Sequence, residues 1–283
     1  MKSIYANHSR SWGDHYYVYP VISRRSGGLS IGINLNPDKT CNFNCIYCQV
    51  DRNTPPTVSQ VDLDRLRTEL QKTIQPAITG ALFDNPPFNK IPKHLRQIKD
   101  IAFSGDGEPT TSPQFPAAVE IAADIRRSLG LDHTKLVLIT NAACLNQPAV
   151  RQALKTMDAN NGEIWAKLDA GTEDYFRSIN RPNVSLLTIL DNILEAGRIR
   201  PIVIQSLWMK VHGSTPSNDQ IDAFARQLKE LIDRGGQIKL VQIYTVARQP
   251  AEPFVAPLTQ DALDTIAKRV KTVVDIPTAT YSP

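Results

Sequence analysis

The chain has 283 residues, 41% of them hydrophobic, and carries a formal net charge of +4. This length and hydrophobic content suffice for a sizeable core, as one α/β domain or two smaller ones, and we expect one. The mildly basic charge permits an anionic or nucleic-acid substrate but does not indicate one by itself. The sequence has no apolar run of about 18 residues and no apolar segment near Met1, so we expect a cytoplasmic protein with no membrane partner.

Strand and helix patterns alternate along most of the chain. Residues 1–28 mix aromatic and basic side chains and are predicted to be an irregular lead-in, and residues 29–283 are predicted to be the core domain with a C-terminal helix and tail. Predicted strands cover residues 29–35, 98–103, 135–140, 163–169, 202–209 and 238–246. Predicted helices cover residues 61–80, 115–129, 147–157, 184–197, 217–234 and 259–274. Six strands, each followed by a helix, predict a parallel sheet that is either doubly wound or curled toward a barrel.

Three of the four cysteines, Cys41, Cys45 and Cys48, lie within a segment of eight residues. Cysteines this close cannot all pair with one another, and a single disulfide would leave a thiol beside it, so shared ligation of one metal centre is predicted. A closed structural zinc site takes four protein ligands, whereas three thiolates on a four-iron cluster leave one iron open to a small molecule. The thiolates also need a reducing compartment to stay available for iron.

Polar residues and glycines follow the predicted strands at their carboxyl ends. In a parallel barrel this face carries the ligand-binding residues. Two glycines within four residues, followed by a proline, suit a loop whose backbone comes close to a ligand. We therefore expect the following residues to gather at one rim: the cysteine segment, Gly105–Pro109, Asn141, Lys167, Asp169, Gln205 and Tyr244.

The C-x3-C-x2-C spacing, with an aromatic residue before the third cysteine, resembles the signature of the radical S-adenosylmethionine (radical SAM) superfamily. The resemblance implies an α/β fold with a partial (β/α)6 barrel of parallel strands, and a [4Fe-4S] cluster held by Cys41, Cys45 and Cys48. It further implies that S-adenosylmethionine binds the open iron and is cleaved reductively to methionine and a 5′-deoxyadenosyl radical, which removes a hydrogen atom from a substrate. An external flavodoxin- or ferredoxin-like electron donor is the implied partner.

The resemblance also implies cofactor-binding residues near the cluster. Asp106, Gly107 and Glu108 match the family's Gly-Gly-Glu-Pro loop, whose backbone carbonyls bind the methionine ammonium group, with an aspartate in place of the first glycine. Tyr47 matches the position of an aromatic residue near the cluster and the adenine.

Further predicted contacts with S-adenosylmethionine lie at the ends of later strands. Asn141 and Asp169 match polar positions that serve the methionine or the ribose, and Lys167 stands where several relatives have serine. Lys167 could pair with the methionine carboxylate or reach the substrate instead. Gln205 and Tyr244 complete the predicted cofactor-binding set.

Within the superfamily, three segments are similar to the group that includes the tRNA wybutosine enzyme, which builds the imidazoline ring on guanosine. These segments are Ser23–Arg25, Pro37–Phe43 and Val241–Arg248. That enzyme has a second cysteine-bound cluster, whereas this chain has only Cys144 left over, so a second three-cysteine cluster is excluded by counting. The same count argues against the molybdenum-cofactor cyclases. A tRNA nucleoside is one candidate substrate, and a small molecule or a peptide stays open.

Several of these features also have a structural interpretation. The three cysteines, completed by Cys144 or a histidine, could hold structural zinc in a non-enzymatic protein. Cys144 itself is expected to be a buried small hydrophobe. Lys167 and Asp169 could form a structural ion pair rather than bind a ligand. Three arginines are more often surface or structural residues than ligands of an anionic substrate. They are Arg177, Arg181 and Arg248.

Overall fold

The computed structural model describes residues 12–283, so the predicted lead-in is described only from residue 12 onward. The chain divides into two compact units. Among the described residues, unit 1 comprises residues 12–41, Thr54–Ile139 and Gln147–Glu163, and unit 2 comprises Asn42–Asn53, Thr140–Asn146 and Ile164–Pro283. The division into a lead-in of residues 1–28 and a core of residues 29–283 stays a prediction.

The described part of unit 1 is a largely parallel sheet with three α-helices. Its strands are β1 (Val18–Ser23), β2 (Gly28–Ile33), β3 (Ile98–Phe103) and β4 (Lys135–Thr140), and its helices are α1 (Leu63–Thr79), α2 (Phe115–Ser128) and α3 (Pro148–Asp158). The strand order is β1-β2-β3-β4, with β1 antiparallel to β2 and the other pairs parallel. Every residue of β2 is buried, as expected for a strand covered on both faces.

The strand β1 lies within residues that the sequence predicts to be irregular, so that prediction is wrong for Val18–Ser23. Pro20 argues against a strand in the sequence pattern, but a proline is tolerated at the edge of a sheet, and β1 is the edge strand of unit 1. The carboxylate of Glu69 on α1 accepts hydrogen bonds from the backbone N–H groups of Tyr16 and Tyr17, both at 2.9 Å. The segment before β1 is thereby attached to α1.

Unit 2 is built from parallel strands and four helices. Its strands are β5 (Gly162–Lys167, of which the part from Ile164 belongs to this unit), β6 (Ile202–Leu207), β8 (Ile238–Tyr244) and β10 (Thr278–Tyr281), in the order β5-β6-β8-β10. Its helices are α4 (Glu173–Asn180), α5 (Leu186–Ile199), α6 (Asn218–Asp233) and α7 (Gln260–Val273). The short strands β7 (Lys210–Val211) and β9 (Val255–Ala256) form a separate antiparallel pair.

The fold class expected from the sequence, an α/β fold with a partial barrel of parallel strands, is confirmed. Each predicted strand overlaps an observed one, and each predicted helix overlaps an observed one. The sequence patterns did not indicate α4 or β10, because each has fewer residues than a periodic pattern needs to show. None of the helices within residues 12–283 is long and apolar enough to cross a lipid bilayer.

Candidate functional site

The cysteine segment, which we call the cysteine loop (Cys41–Cys48), follows β2 and is attached to the end of α4. The N–H groups of Ile46 and Asn44 donate to the carbonyl oxygens of Ile179 and Asn180, at 2.9 and 3.2 Å. The last carbonyls of a helix have no partner within the helix, so α4 offers acceptors to the loop. The ring of Phe43 packs edge-on against Phe176 of α4, with centroids 5.7 Å apart. These contacts fix the loop backbone.

The four cysteines are all within the described residues and are all present as thiols. The three thiols of the cysteine loop belong to partly exposed residues, whereas Cys144 is buried as predicted. The part of the chain that the structure describes contains no group of three or more His, Cys, Asp or Glu side chains arranged around a single ion position.

A group of buried polar side chains surrounds Asp169, which follows β5. We call it the Asp169 cluster, and its members are Cys45, Tyr47, Lys167, Asp169, Asn180 and Tyr244. One carboxylate oxygen, Oδ2, accepts a short hydrogen bond from the Tyr47 hydroxyl and a 3.0 Å bond from Asn180 Nδ2. The other, Oδ1, accepts from the backbone N–H of Leu207 at 2.8 Å. A carboxylate with several donors is held in one orientation.

Lys167 contributes the positive charge of the Asp169 cluster. Its Nζ lies 3.6 Å from Asp169 Oδ2 and donates to the Tyr244 hydroxyl at 3.0 Å. It also lies 4.8 Å from the centroid of the Tyr47 ring, within the range of a cation–π contact. Burial lowers the pKa of Lys167, but Asp169, Tyr244 and Cys45 raise it by more, so the pKa is above its usual value and the group is an ammonium ion at neutral pH.

The thiol of Cys45 faces this cluster although Cys45 as a whole residue is partly exposed. Burial raises the pKa of the thiol to about 11, against the charge of Lys167 and a hydrogen bond from Asn180, which lower it. Burial, followed by the charge of Asp169, also raises the pKa of Tyr47 well above its usual value. The Tyr47 hydroxyl therefore stays protonated and donates a hydrogen bond to Asp169.

The loop Gly105–Pro109 follows β3 in unit 1 and lies against the chain that leads to Cys41. The Asn34 side chain donates to Asp106 Oδ2 at 2.7 Å and accepts from the Asp106 N–H at 3.1 Å. A β-carbon at Gly107 would collide with the carbonyl oxygen of Thr40, so only glycine fits there. Glu108 caps the following turn by accepting from the Thr110 N–H at 3.2 Å.

The two remaining predicted cofactor residues bond to side chains near them. Asn141 Nδ2 donates to Asn42 Oδ1 at 2.7 Å, which places Asn141 beside the start of the cysteine loop. Gln205 is fully buried and donates to Gln242 Oε1 on β8 at 2.8 Å. The Oε1 atom of Gln205 has no hydrogen-bond partner among the described residues.

Unit 2 thus brings together five predicted site residues, namely Cys45, Tyr47, Lys167, Asp169 and Tyr244. The sequence interpretation missed Asn180, which contacts three of them. A helix start at Thr172, with Glu173 and Asp174 in the first turn, was the one sequence signal that could have indicated α4 and its end. Two of the arginines form ion pairs, Arg177 with Glu173 at 2.7 Å and Arg181 with Glu252 at 2.5 Å.

Several solved structures share this arrangement of strands and helices. A radical SAM methyltransferase from Sphaerobacter thermophilus superposes with a TM-score of 0.65, at 12% identity, over 94% of this chain and 69% of its own. Streptococcus suis SuiB bound to S-adenosylmethionine gives 0.59, at 10% identity, over 91% and 52%. The chain therefore shares the fold of this radical SAM methyltransferase and of SuiB. TYW1 with a lysine-pyruvate adduct bound gives a TM-score of 0.51, at 18% identity, over 87% of this chain and 74% of its own.

Comparisons of sequence find relatives at less than 30% identity over most of this chain. No family model matches it. It is 26% identical over 256 residues to the GTPase Obg of Brachyspira hyodysenteriae, and 28% identical over 248 residues to a UPF0026 protein of Helicobacter pylori. These matches cover 88% and 86% of this chain. The chain spans 32% of the length of the first relative and 70% of the second.

Proposed function

We propose that the chain is a radical SAM enzyme in which Cys41, Cys45 and Cys48 hold one [4Fe-4S] cluster. The observation that carries the proposal is the set of three thiols on a single loop whose backbone is attached to α4. In a four-iron cluster each cysteine binds a different iron, so three cysteines leave one iron for a small molecule. The donor set is therefore chemically suited to the group.

The bound cluster and S-adenosylmethionine together would supply reductive cleavage of the sulfonium, and the resulting 5′-deoxyadenosyl radical would remove a hydrogen atom from the substrate. The role of the protein itself is to bind and orient both groups. An external flavodoxin- or ferredoxin-like protein is proposed as the electron donor.

The loop Gly105–Pro109 is proposed to bind the methionine part of S-adenosylmethionine through the backbone around Asp106, Gly107 and Glu108. Asn34 attaches to both the backbone and the side chain of Asp106, so the loop is held in one conformation before a ligand arrives. The contact between Gly107 and Thr40 brings this backbone beside the residue that precedes Cys41. Cys41 belongs to the same unit as this loop.

The Asp169 cluster is proposed to provide polar and charged contacts for the same cofactor. Lys167 is an ammonium ion beside the aromatic ring of Tyr47, which suits a carboxylate ligand next to an adenine or a similar ring. Asn141 and Gln205 are proposed to contribute further hydrogen bonds. The ion pair of Lys167 with Asp169 and the proposed ligand role are compatible, because Lys167 Nζ has three protons to donate.

A tRNA nucleoside is proposed as the substrate, on the support of the wybutosine-like segments and the net charge of +4. We would compare the modified nucleosides of tRNA from a wild-type strain and from a strain lacking this protein, and measure binding of tRNA by gel shift. A missing modification in the deletion strain is the expected result. If the protein does not bind tRNA and no modification is missing, the tRNA substrate is excluded and a small molecule or a peptide is the alternative.

The first test of the proposed function is anaerobic purification and reconstitution with iron and sulfide. The wild-type protein is expected to be brown and, after reduction with dithionite in the presence of S-adenosylmethionine, to form 5′-deoxyadenosine detected by chromatography. Cys45→Ala is the control and is expected to form none. A colourless protein that contains zinc and forms no product would instead support the structural zinc interpretation.

A further inference from the structure

Asn180, the last residue of α4, has a side chain that contacts three members of the Asp169 cluster. The residue is 2% exposed. Its Nδ2 atom lies 2.9 Å from the Tyr47 hydroxyl, 3.0 Å from Asp169 Oδ2 and 3.5 Å from the sulfur of Cys45. All three atoms are acceptors, since Tyr47 donates its own proton to Asp169, and the sulfur of a cysteine that binds iron would have no proton to donate. The nitrogen of the amide, rather than its oxygen, must therefore face them.

The oxygen of the same amide is left without a hydrogen bond among the described residues. A buried acceptor without a partner is unfavourable for folding. A hydrophobic side chain at Asn180 would avoid this cost. The side chain is thus suited to its three acceptors and not to the stability of α4 alone.

The backbone of the same residue holds the cysteine loop. The carbonyl oxygen of Asn180 accepts from the N–H of Asn44, and the preceding carbonyl, of Ile179, accepts from Ile46. The chain then leaves the helix through Arg181, whose φ of +44° is in the left-handed region and turns the backbone away. Asn180 therefore fixes both the path of the loop and the side chain of one of its cysteines.

We infer that Asn180 is a positioning residue that orients Cys45 and raises the reduction potential of the cluster through the N–H group directed at its sulfur. The inference rests on the proposed function, because that function assigns a cluster to the cysteine loop. A hydrogen bond to a cysteine sulfur withdraws negative charge from the cluster and so stabilises the reduced state, which carries one more electron. The amide nitrogen has two protons for three acceptors, so the second N–H is shared between Tyr47 and Asp169 and holds both beside the same cysteine.

Asn180→Leu tests the inference, because leucine has a similar size and no N–H group. The matched control is Asn160→Leu in unit 1, since Asn160 is also buried and its Nδ2 donates only to a backbone carbonyl, that of Thr156 at 2.7 Å. Each protein is reconstituted anaerobically, its iron and sulfide are counted, and its reduction potential is measured by a redox titration followed by electron paramagnetic resonance.

We expect wild type and Asn160→Leu to give the same potential. For Asn180→Leu we expect the equilibrium constant for one-electron reduction to fall about tenfold, which corresponds to a potential lower by about 59 mV. Asn180→Asp is the second variant, because it keeps the shape of the side chain should leucine prevent folding. Its added carboxylate repels the extra electron, so its potential should fall at least as far. Circular dichroism and thermal unfolding establish that each variant is folded.

The outcomes separate the inference from the proposed function. Clusters with an unchanged potential in both Asn180 variants would overturn the inference and leave the proposed function standing. Wild-type protein that takes up no iron would overturn both. Folded Asn180 variants that lose iron, while Asn160→Leu keeps it, would support the positioning role of the residue.

Discussion

Asp100 and Asp169 are aspartates with the same exposure, 2%, and different surroundings. Asp100 lies within β3, and burial raises its pKa. The hydroxyl groups of Ser26 and Ser30 and the charge of Arg25 lower the pKa again, but by less than burial raises it. The carboxyl group of Asp100 is thus accommodated by neighbours that do not fully compensate for the loss of water.

Asp169 follows the end of its strand, and its partners come from several elements. Tyr47 belongs to the cysteine loop, Asn180 to α4, and Lys167 to β5. A position past the end of a parallel strand is where loops and helix ends meet, so one carboxylate there can bind several donors. The comparison indicates that burial alone does not distinguish the two carboxylates, whereas position along the strand and the number of elements that supply hydrogen-bond donors do.

The largest expected effect comes from Asp169→Asn. The change leaves the ammonium group of Lys167 without its carboxylate in a largely buried place, and we expect the free energy of unfolding to fall by about 3 kcal/mol. Urea denaturation at pH 7 measures it. The new side-chain oxygen can still accept from the Leu207 N–H, so the backbone contact is preserved. A loss below about 1 kcal/mol would mean that solvent screens the Lys167–Asp169 pair and that it behaves as an exposed ion pair.

Tyr47→Phe should have the next largest effect. The variant loses a hydrogen bond to a carboxylate, and we expect the free energy of unfolding to fall by about 2 kcal/mol. Tyr19→Phe is the matched control, because the Tyr19 hydroxyl donates to a neutral acceptor, the carbonyl oxygen of Ser104, at 2.9 Å. Its loss should be about 1 kcal/mol. Urea denaturation measures both losses. Equal losses would contradict the expectation that the hydrogen bond to the Asp169 carboxylate stabilises the protein more than the one to a neutral carbonyl.

Asp100→Asn should change the dependence of stability on pH. Because the pKa of Asp100 is raised in the folded protein, the folded state holds this proton to a higher pH than the unfolded state does. The contribution of Asp100 to stability is therefore full below the pKa of the unfolded chain and is lost as the pH rises through the folded pKa.

Relative to wild type, Asp100→Asn should thus be more stable at pH 7 than at pH 3, by about 1.4 kcal/mol for each unit by which the pKa is raised. Denaturation of both proteins across this pH range measures the difference. A difference that does not change with pH would show that the folded protein does not raise the pKa of Asp100.

Ser30→Ala should have the smallest effect. The Ser30 hydroxyl donates a short hydrogen bond to Asp100 Oδ1, and its removal should lower the free energy of unfolding by about 1 kcal/mol at pH 7. It should also raise the pKa of Asp100 further, because that hydrogen bond lowers the pKa. The effect of Ser30→Ala should therefore diminish toward pH 3, which urea denaturation at both pH values checks. A larger loss of stability at pH 3 than at pH 7 would contradict the expectation that the Ser30 hydroxyl stabilises the ionised form of Asp100.

Strands and helices with a long regular pattern could be predicted from the sequence. The predicted strand 98–103 is β3, Ile98–Phe103, and the predicted helix 217–234 closely matches α6, Asn218–Asp233. The capping box of α6, in which Ser217 and Gln220 bond to each other's backbone, marks its start in the sequence as well. Segments such as β1 and α4 could not be predicted, because a proline or a length of eight residues obscures the pattern.

The sequence by itself determined the spacing of Cys41, Cys45 and Cys48, the alternation of strands and helices, and the glycine at Gly107, since all three are local properties of the chain. Only the tertiary structure decided that Asn180 lies against Cys45, Tyr47 and Asp169, residues that are 135, 133 and 11 positions away. A hydrogen bond between distant residues depends on how helix ends and loops pack. The periodicity of a sequence specifies which face of an element is buried, but not which side chain meets another at its end.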